Sequence, residues 1–485
     1  MIKIRTSWVL QTKFRAALLI GFIGFAFYGF KSLSRFFLFG MGIDLAIFHQ
    51  SIWLLSRFKS PLNTVRNIHA FGDHAEYIDI LISPLLWIWS GPETLLILQA
   101  IAIAMAAAGL VYLASSITKR IDIGIAFSFI FIFAWETQLA GLNTFHTYTL
   151  AVAPIVWLTW SLINKRVICS IILTFMLLII REDMSFVVIA LGMGFCWNSY
   201  TRRSGIILSA IGIVYAIIVF TVLFPIFRQQ GYFYWSHFIH VTTMNENTTN
   251  ILMLSISFVQ MLFDGGLKIR SWVVLLLDAS PAVFFSPLSI SILPSQFARV
   301  LSERGAISWG FHYGIIPLIT ALCGAADGIG WIQNKTKKRN KHIVSIIIWG
   351  TFVISLSLSI WPPWGQKAPL WSGQGWLKAG RIRIQDAIEL IPKDASVASN
   401  HRIIDHLAGR DKVYMLGNWC KANYVIIDKN SDPWPNTTNE LQKLIAHLSV
   451  EKNTNIVHSQ KTITVFLRKH IAEHEFICPI LKSIW

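Results

Sequence analysis

Residues 94–118 read TLLILQAIAIAMAAAGLVYLASSIT, 25 positions without a charge, and stop at Lys119-Arg120. Roughly 20 apolar residues suffice to cross a bilayer as a helix, so this run is a membrane span with a basic end. The same pattern recurs: 137–164, 204–227, 305–326 and 343–366 also lack Asp, Glu, Lys and Arg. Over 485 residues the chain is 54% hydrophobic and only 14% charged, with a mean hydropathy of +0.55. A soluble protein of this size could not hide so much apolar surface. The sequence specifies an integral, polytopic membrane protein.

The basic residues decide which way the spans run. Lys119-Arg120, Lys165-Arg166, Arg202-Arg203, Lys268 with Arg270, and the cluster 335–341 fall in alternate loops. Basic loops stay cytoplasmic. The loops between them carry Asp44, Asp73-His74, Arg181-Glu182-Asp183, Glu303-Arg304 and His312, which therefore face outward. The net charge of +17 is thus a topology signal, and no basic stripe interleaved with aromatics suggests nucleic acid as a partner. The partners it implies are membrane lipids.

Lys3, Arg5, Lys13 and Arg15 precede the apolar stretch 16–30, with no small-residue cleavage site after it. This predicts a retained first span with a cytoplasmic N-terminus in the plasma (inner) membrane. The expected spans are 14–33, 93–117, 121–137, 147–164, 167–181, 183–199, 205–226, 249–265, 271–294, 312–332 and 343–361, eleven in all. Between the first two lies an outer loop, 34–92, whose stretches 44–58 and 77–89 predict juxtamembrane helices. Counting 77–91 as a span would put Lys119-Arg120 outside and invert every later loop. Asp278 is expected to pair with Lys268 or Arg270.

Past Trp361 the composition changes. Pro362-Pro363 and a Gly/Trp-rich link lead from the membrane domain, 1–361, into a charged segment, 362–485. Its periodicities predict a helix over 382–391 ending at Pro392, strands at 396–399, 412–416 and 424–428, a helix over 437–448, and paired strands at 456–458 and 462–467. That is a small exported α/β domain. Cys420 and Cys478 could pair there, a point left open by spacing alone, whereas Cys169, Cys196 and Cys323 lie in apolar spans as packing residues. No internal repeat at a fixed period is visible.

Four constellations carry chemistry. Asp44, in Gly42-Ile43-Asp44-Leu45, and Phe71-Gly72-Asp73-His74-Ala75-Glu76 stand in the outer loop. A carboxylate beside apolar residues is partly desolvated, which raises its proton affinity and suits it to take a proton from a hydroxyl. The bland alternative is a helix cap, open to Asp44 and Asp73 alike. Arg181-Glu182-Asp183 forms the turn of a tight apolar hairpin, where charges are costly unless they face a polar cavity. Arg181 suits a phosphate, and Glu182 or Asp183 a hydrogen bond or a metal. Asn143-Thr144-Phe145-His146 marks the outer end of two further spans, and Arg299, Glu303-Arg304 and His312-Tyr313 complete the set. A single histidine at a helix start is more often a satisfied structural residue. The case rests on His74, His146 and His312 reaching one level on one side, with His237 and His240 on a nearby loop.

Gly42-Ile43-Asp44-Leu45-Ala46-Ile47-Phe48-His49-Gln50, Phe71-Gly72-Asp73-His74, Asn143-Thr144-Phe145-His146, Arg181-Glu182-Asp183 and His312-Tyr313 resemble an uncharacterised prokaryotic family of predicted membrane proteins, domain of unknown function 2079. That family is similar in layout to the GT-C superfamily of polyprenyl-phosphate-sugar glycosyltransferases. The resemblance implies a mainly α, GT-C-type fold and a first-loop carboxylate, at Asp44, acting as base or metal contact. His49 stands where the family pattern often has an acidic residue. No Asp-x-Asp pair of the metal-dependent members is present, so a divalent metal is left unassigned.

The expectation is a glycosyltransferase that moves a sugar from a polyprenyl-phosphate lipid to a glycan, lipid or protein acceptor. Asp44, Asp73, His74 and Glu182 would form the catalytic group. Arg181, Asp183, Asn143, His146, Arg304, His312 and Tyr313 would bind substrate. A lipid or solute transporter would instead need ionisable groups near the bilayer midplane and broken helices in corresponding halves. A non-catalytic scaffold would show no cavity behind the outer loop.

Overall fold

The computed structural model describes residues 2–234, 258–302, 312–336, 341–361 and 382–469, with 369, 371, 478 and 481. Helix α1 (Ile2–Phe37) packs along the helix Glu93–Thr118, and small residues let the two approach. A Cβ at Gly21 would stand 3.3 Å from the Ala104 carbonyl oxygen. The hairpin formed by the helices Met184–Cys196 and Arg202–Ile218 is tighter still, since a Cβ at Gly205 would meet the Gly192 carbonyl at 2.5 Å. Such small-residue seams are how helices associate where lipid competes for apolar contact.

Five helices among the described residues are long and apolar enough to cross a membrane: Gln11–Phe37, Glu93–Thr118, Arg202–Phe227, His312–Lys335 and His342–Ile360. A sixth candidate is the pair Ile121–Phe133 and Trp135–Leu142, bent by 55°. Ala134 between them takes φ −59° and ψ 146°, an extended conformation that interrupts the expected straight span 121–137. The helices Val167–Ile180 and Met184–Cys196 have only 14 and 13 residues. At 1.5 Å per residue that is about 20 Å, short of the roughly 30 Å of hydrocarbon.

The expected span 271–294 is not one helix. The helix Gly266–Ala279 stops at Ser280, whose φ is +86°, and two 3-10 turns follow, Pro281–Phe285 and Pro287–Ile292. Pro281 and Pro287 lack the amide hydrogen that an α-helix needs there. Ser280 and Ser286 cap the turns by accepting from the amides of Ala282 and Leu288. Asp278 does not pair with Lys268 or Arg270 either. It is fully buried, facing Glu136 and Ser355, while Lys268 binds Asp264 four residues earlier. Ten residues of helix separate Asp278 from Lys268 by about 15 Å, beyond side-chain reach. The expected span 249–265 lies largely outside the described residues.

The C-terminal elements follow the sequence pattern closely. Strands β1 (Val397–Ser399), β2 (Val413–Met415), β3 (Tyr424–Asp428), β4 (Thr454–Gln460) and β5 (Ile463–Arg468) form one sheet in the order β2-β1-β3-β5-β4. β1 runs parallel to both β2 and β3, whereas β5 is antiparallel to β3 and β4. The helix Thr438–Val450 opens with a capping box, Thr437 and Glu440 each bonding the other's amide. Cys420 and Cys478 are disulfide-bonded.

This sheet packs onto the loop after α1. Phe39, Ile43, Ala46 and Val65 share one apolar core with Ile384, Val397, Ile403 and Val413. Helix α2 (Ile43–Ser56) is the contact. Gln50 donates to the Thr64 hydroxyl at 2.7 Å and to the Asp411 carbonyl at 3.1 Å. Thr64 exchanges two bonds with the backbone of Val413, at 2.7 and 2.9 Å. His406 lies between the rings of Phe36 and Phe39, 4.0 and 4.1 Å centre to centre.

Gln50→Ala removes these buried bonds and strands their partners, at a cost of about 1–3 kcal/mol. Thermal unfolding in detergent should show that loss, and limited proteolysis should cut residues 382–469 faster than in the unsubstituted protein.

Candidate functional site

Distant segments meet at one end of the bundle around a cavity of about 150 Å³. Its walls include Asp44, Asp73, His74, His146, Arg181, His312 and Tyr313. Seven of the expected site residues therefore converge. Glu182 and Asp183 stand behind that wall, against His74 and Arg181, and Asn143 does not line the cavity. Arg304, His237 and His240 lie outside the described residues.

Asp44 occupies the first turn of α2, whose amide end favours a negative charge. Its side chain keeps 41% of its surface open to the cavity. The protein crowded around it raises its pKa to about 6 by burial, with Arg66 pulling down and Asp73 pushing up. His146 Nε2 stands 3.6 Å from the Asp44 carboxylate, beyond hydrogen-bond range. Burial, then Arg181 and His74, lower the His146 pKa to about 3, so the ring is neutral at pH 7. It stacks on His312, with centroids 3.3 Å apart. Gln99 sets this loop: it accepts from the His146 amide and donates to the carbonyls of Ala140 and Thr144.

The hairpin tip supplies a second group. Glu182 has no exposed surface and is an acceptor for three partners. His74 Nδ1 lies 2.7 Å from Oε1, the Ala75 amide donates to Oε2 at 2.9 Å, and Tyr232 donates to Oε1 at 3.0 Å. Burial works against the charge, but His74, Arg181 and the Ala75 amide outweigh it and hold the pKa at about 2. Arg181 lies between Glu182 and Asp183, its Nε 3.7 and 3.5 Å from their oxygens, and over the Tyr148 ring at 5.1 Å. Burial raises Asp183, with Arg181 opposing.

Several residues here carried no local signal. Arg66 forms an ion pair with Asp73, and Tyr234 donates to the other Asp73 oxygen at 2.9 Å. Glu76 and Asp79 are buried carboxyls in the cavity wall, and Glu76 accepts from the Thr147 hydroxyl. Burial pushes both well upward, and Asp79 adds to the rise at Glu76. His49 turns away from the cavity and bonds the Ser90 carbonyl at 2.9 Å, a structural role. Among the described residues no group of three His, Cys, Asp or Glu side chains has the spacing to hold a metal.

Beneath the cavity floor, at the break of the bent helix, lie Glu136, Asp278 and Arg299, all buried. Gly314 makes room for them, since a Cβ there would meet the Glu136 side chain at 2.4 Å and Arg299 at 3.1 Å. The ionisable groups are therefore not confined to one rim, as the sequence suggested.

A bundle of apolar helices with a charged cavity at one end defines a polytopic membrane protein. The chain matches the family described as "Predicted membrane protein (DUF2079)" over residues 36–464, and it belongs to that family. No curated protein matches it.

Glu182→Gln keeps an acceptor for the Ala75 amide but removes the charge that faces His74 and Arg181. The expected loss is about 3 kcal/mol. Because the folded pKa is depressed from 4.5 to about 2, this stability is full above pH 4.5 and vanishes as pH falls toward 2. Thermal unfolding of both forms across that range should show their difference shrinking.

Proposed function

We propose that this protein is a GT-C-type membrane glycosyltransferase using a polyprenyl-phosphate-linked sugar at the outer face of the plasma membrane. In this reading the N-terminus is cytoplasmic, residues 1–361 form the membrane domain and 362–485 an exported α/β domain. The carrying observation is the position of Asp44: a carboxylate of raised proton affinity, open to a cavity whose walls also hold Arg66 and Arg181.

Asp44 takes the proton of the acceptor hydroxyl as its oxygen bonds to the anomeric carbon. The bond from that carbon to the phosphate oxygen breaks, and its electron pair leaves with the polyprenyl phosphate. Arg181 and Arg66 face the charge that develops on that phosphate, an electrostatic stabilisation that counts most in a water-poor site. His146, neutral and beside Asp44, orients the hydroxyl. Asp73 and Glu182 hold Arg66, His74 and Arg181 in place. His312 and Tyr313 complete the wall, and Asp183 supports it from behind. A single displacement needs one base and inverts the anomeric centre. The donor is a polyprenyl-phosphate sugar, and the acceptor a glycan, lipid or protein hydroxyl.

One observation favours a second reading. Glu136 and Asp278, buried at a helix break, are the kind of intramembrane ionisable pair a transporter needs. A transporter would lose substrate flux on Asp278→Asn and would catalyse no glycosyl transfer.

Asp44→Asn should lower sugar transfer from radiolabelled polyprenyl-phosphate sugars by about 10²- to 10⁴-fold while leaving the protein monodisperse. The base must be deprotonated, so transfer by the unsubstituted protein should fall as pH drops below about 6. Unchanged transfer by the Asn variant excludes Asp44 as the base.

A further inference from the structure

A second cavity, of about 590 Å³, opens at the opposite end of the bundle from Asp44. Aromatic rings form much of its wall: Trp197, Tyr200, Phe285 and Trp331, all substantially exposed. Phe285 and Trp331 stack at 5.3 Å, which fixes their faces. Inside stands Asp327, largely buried, with Asn334 near the mouth. One Asp327 oxygen accepts from the Ser286 hydroxyl at 2.7 Å, and among the described residues no cation pairs with the carboxylate.

Among the described residues the cavity gathers four helix C-termini, against the single long-helix start at Thr201. Ile117, Ile163, Phe195 and Gly330 place it at the C-terminal ends of the helices Glu93–Thr118, Val152–Ile163, Met184–Cys196 and Ile315–Lys335. Helix C-termini carry partial negative charge. A carboxylate, four such ends and aromatic faces all attract one chemistry, an ammonium group. The mouth has the opposite sign. The Lys165 ammonium lies 3.6 Å from the centre of the Tyr200 ring, and Lys335 lies 5.8 Å from that of Trp331.

We infer that this cavity binds a zwitterionic aminophospholipid headgroup, with its primary ammonium on Asp327 between the aromatic walls and its phosphate toward Lys165 and Lys335. A primary ammonium brings three N–H donors and a positive charge, so it bonds the carboxylate more strongly than the neutral hydroxyls of an anionic glycerol headgroup do. The exposed apolar surface beside the cavity, including Ile168 and Phe284, suits acyl chains. This site is independent of the sugar-transfer reading, since none of its wall residues touches the other cavity.

The test is native mass spectrometry of the delipidated full-length protein with short-chain phosphatidylethanolamine and phosphatidylglycerol in competition. The protein should retain phosphatidylethanolamine about tenfold better, since one charge-assisted hydrogen bond is worth about that factor. Asp327→Asn, which can still accept from Ser286, should erase the preference, and Trp331→Ala should weaken it. Equal retention of the two lipids, or preference for the glycerol lipid, overturns the inference. So does an Asp327→Asn protein that still prefers ethanolamine. Should that variant fail to fold, the competition on the unsubstituted protein and on Trp331→Ala decides alone.

Discussion

The rim is organised by the contact between Glu182 and the segment His74-Ala75. A carboxylate with no exposed surface is tolerated only when charged and hydrogen-bonded partners surround it, because an unpaired one costs several kcal/mol. Its partners here come from more than a hundred residues upstream, His74 and Ala75, and from fifty downstream, Tyr232. That requirement draws the loop after α1, the tip of the short hairpin and the segment at Tyr232 into one place. The cavity containing Asp44 is the space those segments leave between them. Arg66 and Asp73 repeat the arrangement on a second wall.

How much of this was legible in the sequence depends on the range of the interaction. The C-terminal strands and helices follow local alternation and capping, so 424–428 and the helix beginning after Thr437 were readable to within a residue or two. Asp44, His146, Arg181 and His312 are legible because titratable side chains at the ends of apolar runs are rare and the basic loops sort them by side. Arg66, Gln99, Tyr232 and Tyr234 gave no such signal, since each acts through a partner 7 to 168 residues away. The break at Ala134 was also hidden, as nothing in an alanine forbids a straight helix. The end of the helix at Ala279 was signalled by Pro281, and the length of the apolar run obscured it.

The sheet after residue 382 bears on the site through α2. The helix carries Asp44 at its start, and Gln50 two turns on binds the backbone of Asp411. Asp405 lies buried behind Asp44, where burial and then the Asp44 charge push its pKa well above the usual carboxylate range. One helix thus faces the cavity on one side and the C-terminal sheet on the other. The orientation of Asp44 therefore depends on residues more than 350 positions later in the chain.

The most direct measurement is a cryo-EM structure of the full-length protein with a polyprenyl phosphate analogue in a lipid nanodisc. The account predicts phosphate density in the cavity beside Arg66 and Arg181, with the Asp44 carboxylate facing the same space. A headgroup bound elsewhere, or an Asp44 side chain turned out of that cavity, would contradict it.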